Sequence, residues 1–361
     1  MTLTKERESF LTVKDLGFGS PSFSEDELGE IAKSYFGISG DLKDLGGERD
    51  QNTRITCPNG RSFLLKISGV TEDPGSVDFQ VRALLHIEQV DPGLPVPRLV
   101  PGLDGGLVQQ HQHKGESSLV RLLTFLPGIP YSSGTFPSTS GLQSIGGFLA
   151  RLDRALADFT HPASQSFMPW DIGSNLTFTQ QFRDLVPDGA RALCDPLLDR
   201  LEHRAYPQLK QLRQQVIHQD AHGGNLLRAD SESEEVIGVI DFGDMIQGPL
   251  ISDIAITASH FMEKGIEIED TAISVCLGFH SVTPLTAHET DLLLDLVTVR
   301  QLLTLQLFEF RRLNMPHSPP QDVDEKPRII SSLERLSKIN SEDFRDRLRS
   351  ECGLNTARSH H

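Results

Sequence analysis

The first clear hydrophobic pattern in the chain is that of an amphipathic helix. From Phe23 to Gly37 the sequence FSEDELGEIAKSYFG places apolar residues three or four positions apart. Ser24 is a suitable N-cap, and Glu27, three residues later, completes a capping box. Gly37 follows the last apolar position, as glycine often does where a helix ends. The segment therefore predicts a helix that is capped at both ends.

The next stretch, residues 41–68, has the alternation and the turn signal of a small antiparallel sheet. Its tripeptide PNG is typical of a hairpin turn. In the last strand Phe63, Leu65 and Ile67 share one face, and Lys66 projects from the opposite face. The sheet is therefore expected to present a single lysine on its other side.

A change of composition divides the chain. Residues 76–89 predict a helix, two strands are expected within 97–110, and a third at 118–126. The sequence PGIPYSSGTFPSTS comes next and is rich in proline, glycine and serine. We place the main boundary here, which gives an N-terminal lobe of residues 1–126 and a C-terminal lobe of residues 127–361.

Beyond this boundary the pattern is mainly helical. Five apolar residues fall on one helical face: Leu142, Ile145, Leu149, Leu152 and Leu156. Further helical patterns cover residues 190–214, 250–264, 286–313 and 323–348. A small sheet followed by a larger helical part predicts a bilobal α+β fold.

Charge and cysteine content narrow the class of protein. The net charge of −16 disfavours nucleic acid and anionic membranes as partners and favours a small cationic ligand, although acidity also serves solubility alone. The sequence has no apolar run long enough to span a bilayer, and its N-terminal segment lacks the hydrophobic core expected of a signal peptide. Its four cysteines are widely spaced, which argues against a disulfide framework. We expect a cytoplasmic protein, monomeric or dimeric.

Two polar clusters lie next to short apolar segments. In VIHQDAHGGNLL, Asp220 and Asn225 lie between two hydrophobic anchors, and in VIDFGD a buried strand is expected to end at Asp241. Phosphoryl transfer needs one carboxylate to orient or deprotonate the acceptor hydroxyl, and an amide and a second carboxylate to hold Mg²⁺. Oxygen ligands of this kind suit magnesium. The clusters therefore predict a kinase that uses Mg²⁺ and a nucleoside triphosphate.

A cation for the phosphates and a loop to cover them are also present. Lys66 is placed for the first role on its alternating strand. The loop LGGERDQN, with Gly46, Gly47 and Asn52, could cover the phosphates with backbone N–H groups. The residues Glu48, Arg49 and Asp50 in the same loop are interpreted as turn residues.

The motifs HQDAHGGN and IDFG together resemble the aminoglycoside phosphotransferase family, whose fold is similar to that of protein kinases. Three stretches resemble its hydroxylysine kinase branch, at residues 119–130, 238–245 and 278–289. The resemblance covers roughly residues 24–312. It implies a kinase-like fold, with an antiparallel sheet in the N-terminal lobe and a nucleotide in the cleft between the lobes.

The resemblance also implies roles for matching residues. It makes Asp220 the catalytic aspartate, Asn225 and Asp241 the metal ligands, and Lys66 the phosphate-binding lysine. Asp253 is expected to support the loop of residues 218–225, the catalytic loop. The hinge that meets the purine corresponds to Thr124, Phe125 and Leu126.

Several roles stay open at this point. Kinases pair the lysine with a glutamate on the following helix, and Asp78 or Gln80 occupies that place here. His218 and His222 are candidates for the catalytic loop, either bracing it by hydrogen bonds or, alternatively, ligating zinc.

The acceptor pocket has three further candidate residues. Trp170 and Asp171 could bind an ammonium group or simply pack and cap a turn. Asp244 could face the acceptor's amine or likewise only cap a turn.

The sequence thus predicts a small-molecule kinase that transfers the γ-phosphoryl group of ATP or GTP to a hydroxyl of an amine-bearing metabolite. The leading acceptor is hydroxylysine or a related amino alcohol. Choline, ethanolamine, homoserine and aminoglycosides are alternatives. A catalytically silent nucleotide-binding protein and a metal-dependent hydrolase are alternatives of other classes.

Overall fold

The computed structural model describes residues 20–47, 49–166, 168, 170–173, 183–262, 267–314 and 325–354. By the density of contacts between residues, the chain forms two compact units. The first unit draws on the segments 1–77 and 98–125, and the second on 78–97 and 126–361. The segment 78–97, which the sequence assigned to the N-terminal lobe, groups with the second unit because its side chains pack there. Phe79 stacks on Phe159, for example.

The first unit is an antiparallel sheet with one helix against it. The strand order is β1-β2-β3-β5-β4. The strands are β1 (Asp41–Gly46), β2 (Asp50–Thr56), β3 (Ser62–Ser68), β4 (Gln109–His113) and β5 (Glu116–Thr124), and the helix is α1 (Glu25–Phe36).

Apolar burial on one face of this sheet explains its position. Leu65 and Ile67 of β3 are fully buried against a cluster that includes Ile31 of α1, as the alternation predicted. The capping box is confirmed, because the Ser24 hydroxyl accepts from the Glu27 N–H and the Glu27 carboxylate accepts from the Ser24 N–H. Lys66 lies on the other face of the strand, half-buried.

The second unit is mainly helical. Helix α2 (Pro74–Val90) begins in the first unit and contributes most of its length to the second. The remaining helices are α3 (Thr139–Leu156), α4 (Arg191–Arg200), α5 (Tyr206–Leu209), α6 (Ile251–His260), α7 (Ile268–Val282), α8 (Ala287–Asn314), α9 (Glu325–Leu336) and α10 (Ser341–Glu351). None of the helices in the described ranges has both the length and the apolar character to cross a membrane.

Two small sheets place the polar clusters of the sequence. One is the pair β7 (Gln214–Ile217) and β10 (Ile246–Pro249), and the other has the order β6-β8-β9, with β6 (Ile129–Pro130), β8 (Leu226–Arg228) and β9 (Gly238–Val239). Strand β7 ends immediately before His218, and β8 begins immediately after Asn225. The catalytic loop is therefore tethered at both ends, as predicted.

Three elements differ from the expectations. Only β4 forms as a strand within 97–110, where two were expected, and Leu99 makes an isolated bridge to Leu123. Helix α7 was not predicted, because it is apolar on nearly every side and so shows no clear amphipathic period. The pattern at 323–348 is two helices, separated by a break at Asn340, which caps the second one.

Helices α3 and α7 cross at two glycines. A Cβ atom on Gly146 would lie 2.0 Å from the carbonyl oxygen of Val275, and one on Gly278 would lie 2.0 Å from that of Gln143. Non-bonded atoms do not come this close to each other. Glycine at these two positions is therefore what allows the backbones of the two helices to pack in contact. At the neighbouring Gly147 the nearest atom would be 3.6 Å away, an ordinary contact.

We therefore expect Gly146→Ala and Gly147→Ala to differ in sign. The first should lower the free energy of unfolding by about 1–3 kcal/mol, because the helices must move apart. The second should be neutral or raise it by up to about 1 kcal/mol, because alanine is the better helix former. Urea unfolding followed by circular dichroism measures both. Equal destabilisation by the two variants would show that the close crossing is wrong.

Candidate active site

One buried carboxylate accepts two backbone hydrogen bonds from the catalytic loop. Asp253, in the first turn of α6, accepts the N–H of His218 at 2.8 Å and that of Gln219 at 2.6 Å. Gln219 has a φ of 68°, a left-handed conformation that is unusual for a residue with a side chain. These two hydrogen bonds stabilise this turn of the loop. The next residue in the chain is Asp220.

A second buried acid lies against the first. Asp153 of α3 is buried, and among the described residues no donor reaches either of its carboxyl oxygens. Burial and the charge of Asp253 raise the pKa of Asp153 well above its ordinary value. Asp153 is therefore expected to keep its proton beside Asp253.

His218 connects the two polar loops. Its Nδ1 accepts the N–H of Asp220 at 3.3 Å, which leaves the proton on Nε2. Nε2 then donates to the carbonyl of Ile240 at 3.2 Å, immediately before Asp241. With both ring nitrogens used, this geometry suits a bracing role and does not suit a zinc ligand.

Asp220 is the centre of a set of converging polar groups. Its Oδ2 accepts from Asn225 Nδ2 at 2.7 Å and lies 3.5 Å from His222 Nε2. Its Oδ1 lies 3.8 Å from a guanidinium nitrogen of Arg300. The side chain is 19% exposed, so one carboxylate oxygen is oriented by the protein and the carboxylate still reaches solvent.

Electrostatics keep Asp220 ionised. Burial alone would raise its pKa, but the interaction with His222 and the charge of Arg300 outweigh it and leave the pKa below its ordinary value. For His222, burial lowers the pKa, but the attraction of Asp220 outweighs it and the pKa is raised. The Nδ1 of His222 accepts the N–H of Gly224 at 2.9 Å, which fixes the ring.

The predicted metal ligands lie on neighbouring chain segments. The Ile240 N–H donates to the Asn225 carbonyl at 3.0 Å. Asn225 therefore lies opposite Ile240, the residue that immediately precedes Asp241. The Asn225 amide nitrogen donates to the main-chain carbonyl and the Oδ2 of Asp220, which turns Oδ1 away as an acceptor. Asp241 is exposed and has a φ of 63°. One amide oxygen and one carboxylate fit Mg²⁺ whose other ligands are phosphate oxygens and water.

Two residues of this site were missed by sequence reasoning. Arg300 of α8 reaches Asp220, and His260 at the end of α6 stacks on His222 with ring centroids 5.0 Å apart. Both lie on helices far along the chain from the motifs. The periodicity of a helix shows which residues face its core, and it does not show which distant loop they meet.

The proposed acceptor residues form a connected group in the second unit. The indole N–H of Trp170 donates to Asp244 Oδ2 at 2.9 Å, so the two residues act together. Asp171 is buried, and its Oδ1 accepts the Gly173 N–H at 2.8 Å, which is the geometry of a turn cap. Gln219 Nε2 donates to the carbonyl of Trp170 at 3.2 Å and ties this segment to the catalytic loop. Contact of any of them with an acceptor stays a prediction.

In the first unit, Lys66 has an acidic partner on the neighbouring strand. Its Nζ lies 3.0 Å from Asp50 Oδ2, which is also 3.6 Å from Arg121. Asp50 is the first residue of β2, so its interpretation as a turn residue is wrong, whereas Glu48 lies outside the described residues. Glu72 lies in the same charged cluster, where burial raises its pKa against the charges of Arg49, Arg121 and Lys66.

The helix candidates for pairing with Lys66 lie on α2. The carboxylate of Asp78 accepts from Arg82 at 2.9 Å and lies 3.1 Å from His161 Nε2. Gln80 is buried. A role for Gln80 beside the nucleotide stays a prediction.

The glycine loop is a tight β1–β2 hairpin. Gly46 has a φ of 72°, and a Cβ on Gly47 would lie 2.1 Å from the Asp50 carbonyl. Asn52 Nδ2 donates to the Gly46 carbonyl at 3.0 Å, so Asn52 supports the loop itself.

Two N–H groups of the predicted hinge are already used. The N–H of Thr124 donates to Arg98 and that of Phe125 to Ser62, at 2.8 and 3.1 Å. Within the described part of the chain, the Leu126 N–H has no acceptor.

Comparison with known proteins defines the class. The sequence model described as the phosphotransferase enzyme family (APH) matches residues 41–274. The chain belongs to this family, the aminoglycoside phosphotransferases. It is a kinase that transfers a phosphoryl group to an alcohol group of a small molecule.

Individual relatives cover nearly the whole chain. Hydroxylysine kinase of Danio rerio is 26% identical over 340 residues, 91% of this chain and 95% of the relative. Two solved structures are similar in fold. A microcompartment-associated aminopropanol kinase has a TM-score of 0.66 and 21% identity, covering 90% of this chain and 98% of its own. Amicoumacin kinase in complex with AMP-PNP and Ca²⁺ has a TM-score of 0.67 and 15% identity, covering 89% and 97%. The predicted kinase-like α+β fold is confirmed.

The roles assigned to the buried acids Asp253 and Asp153 can be tested by mutation. Asp253→Asn replaces an acceptor of two N–H groups and should lower the free energy of unfolding by about 1–3 kcal/mol. Asp153→Asn keeps a neutral donor at the same place. Since the folded parent holds Asp153 protonated at neutral pH and the unfolded chain does not, this variant should be as stable as the parent or more stable, increasingly so as pH rises above the ordinary pKa of aspartate.

Urea unfolding at mildly acidic and neutral pH measures both effects. If Asp153→Asn were as damaging as Asp253→Asn, Asp153 would be an ionised residue and the proton assignment would be wrong.

Proposed function

We propose that this kinase transfers the γ-phosphoryl group of ATP or GTP to the hydroxyl of a small amine-bearing metabolite, with hydroxylysine as the leading acceptor. The observation that carries the proposal is Asp220, whose carboxylate is kept ionised by His222 and Arg300 and oriented by Asn225 at 2.7 Å. An ionised, oriented carboxylate with one free side is what an attacking hydroxyl requires.

Each residue then has a task in the transfer. The acceptor hydroxyl donates to the Oδ1 side of Asp220, since Oδ2 is engaged by Asn225 and His222. As the oxygen–γ-phosphorus bond forms and the bond to the β-phosphate oxygen breaks, the hydroxyl proton passes to Asp220 and later to solvent. Asn225 and Asp241 would hold Mg²⁺, which neutralises charge on the phosphates when bound. Lys66 would contact the phosphates, exchanging or sharing its bond with Asp50.

The acceptor class rests on the relatives and on acidic residues near Asp220. The family resemblance is to a hydroxylysine kinase over 95% of that protein's length, and aminopropanol is the substrate class in the name of a protein of similar fold. Asp244, held by Trp170, supplies a carboxylate for an ammonium group. For the purine, the Leu126 N–H is the hinge donor without an acceptor among the described residues, and it does not distinguish ATP from GTP. A cytoplasmic, monomeric or dimeric protein is consistent with this role.

The first test is an acceptor screen. Nucleoside diphosphate release is measured with Mg²⁺ and either ATP or GTP across amino alcohols, hydroxy amino acids and aminoglycosides. We expect turnover with hydroxylysine, and Asp220→Asn should lower kcat by about 100- to 10,000-fold because the proton acceptor is lost. The exposed Asp188→Asn serves as the control and should match the parent.

Nucleotide binding without turnover on any acceptor would instead support a catalytically silent binding protein. Full activity of Asp220→Asn would contradict the role of Asp220.

A second prediction concerns pH. His222 is the largest of the influences that lower the pKa of Asp220. Activity requires ionised Asp220 and falls as pH drops through its pKa, so His222→Asn, which removes the imidazole and raises that pKa, should move the acid limb of kcat/KM to higher pH. Asparagine can still accept the Gly224 N–H, which keeps the loop. A pH profile of unchanged position would show that His222 does not act on Asp220.

A further inference from the structure

Arg300 is a largely buried cation whose contacts are all long. Its side chain is 11% exposed. One terminal nitrogen lies 3.8 Å from Asp220 Oδ1, beyond hydrogen-bond distance, and the other lies 3.5 Å from the Trp170 carbonyl. Its Nε is buried, and among the described residues it has no hydrogen-bond partner. A guanidinium has five N–H groups, so among the described residues most of the donors of Arg300 have no acceptor of good geometry.

Two arginines of the same chain that form paired structural contacts look different. Arg213 holds Glu289 through two bonds of 2.6 and 2.8 Å, and Arg151 holds Asp91 through two bonds of the same lengths. A guanidinium that served only to pair with Asp220 would be expected to make such a bidentate contact. Asp220 already has closer partners in Asn225 and His222. Within the described ranges, the donors of Arg300 are therefore left for a ligand.

We propose that Arg300 is the carboxylate-binding residue of the acceptor pocket, and that the acceptor is therefore a hydroxylated amino acid and not a simple amino alcohol. This inference rests on the proposed function and deepens it. A planar guanidinium binds a carboxylate through two parallel hydrogen bonds, which is the best match to its geometry.

The dimensions agree with such an acceptor. Hydrogen bonds of about 2.8 Å at each end allow the phosphorylated hydroxyl on Asp220 and a carboxylate on Arg300 to be up to roughly 9 Å apart. This spans the distance between the hydroxyl and the carboxylate of an amino acid as long as 5-hydroxylysine. Asp244 lies close enough to Arg300 to influence it electrostatically and provides the opposite charge for an ammonium group of the same ligand.

A pair of acceptors that differ only by the carboxylate tests the proposal. These are 5-hydroxylysine and its decarboxylated counterpart, 1,5-diaminopentan-2-ol. For the parent we expect kcat/KM to favour hydroxylysine by about 100-fold, mainly through KM, as for the loss of a charged hydrogen bond. In Arg300→Gln this ratio should fall toward one. Arg300→Lys should be intermediate, because lysine keeps the charge without the fork.

Controls separate the possible results. Arg151→Gln removes an arginine that pairs with Asp91 and should keep the parental ratio. Circular dichroism checks folding, and if Arg300→Gln does not fold, Arg300→Lys carries the comparison. Equal use of both compounds by the parent would overturn the proposal. So would an equal loss of kcat for both compounds in Arg300→Gln with the ratio unchanged, since Arg300 would then act only on Asp220.

Binding measurements distinguish a failure of this inference from a failure of the proposed function. Calorimetry with Mg²⁺ and AMP-PNP gives the affinity of each compound without turnover. If neither compound is phosphorylated but hydroxylysine binds more tightly and Arg300→Gln removes the difference, the carboxylate subsite stands and the acceptor chemistry is what fails. Equal affinities, or no binding of either compound, would overturn the subsite as well.

Discussion

The geometry of the site depends on the buried carboxylate of Asp253. By accepting the N–H groups of both His218 and Gln219, it holds the catalytic loop in a turn that includes a left-handed, non-glycine residue. Such a backbone conformation persists only where surrounding contacts stabilise it. Burial raises the pKa of this carboxyl, and the two N–H donors and the neighbouring Asp153 act against that shift. A pair of buried acids thus fixes the position from which Asp220 projects.

Hydrogen bonds connect the catalytic loop to the segment that contains Asp241. His218 donates to the carbonyl of Ile240 and so relates the catalytic loop to the segment that carries Asp241. Asn225 is tied to Asp220 by its amide nitrogen and to the same segment by its carbonyl. The group expected to orient the hydroxyl and the groups expected to hold the metal are therefore not independent. A shift of one loop therefore moves the other. This coupling keeps the groups in a fixed relative position, which suits a reaction in which positioning provides most of the acceleration.

The features that the sequence predicted correctly depend on residues that are close together in the chain. The capping box at Ser24, the alternation around Lys66 and the tethering strands of the catalytic loop depend on neighbours in sequence, and these predictions are confirmed. The partner of Lys66 in β2 and the approach of Arg300 depend on which distant segments meet, and no local pattern encodes that. Helix α7 was missed for a related reason. Its glycine and apolar residues are set by contact with α3 and not by an exposed face.

The distribution of charge links the fold to selectivity. The protein as a whole is strongly acidic, so a cationic acceptor is attracted over a long range and needs little further help to bind. A carboxylate on the same acceptor is repelled by that field, and close to Asp220 it would be repelled further. A cation inside the pocket can reverse this, and Arg300 is largely buried on a long helix, where its charge is little screened. Attraction of the amine at long range and recognition of the carboxylate at short range would then be separate tasks, carried by different residues, and the second would decide between acceptors that the first cannot distinguish.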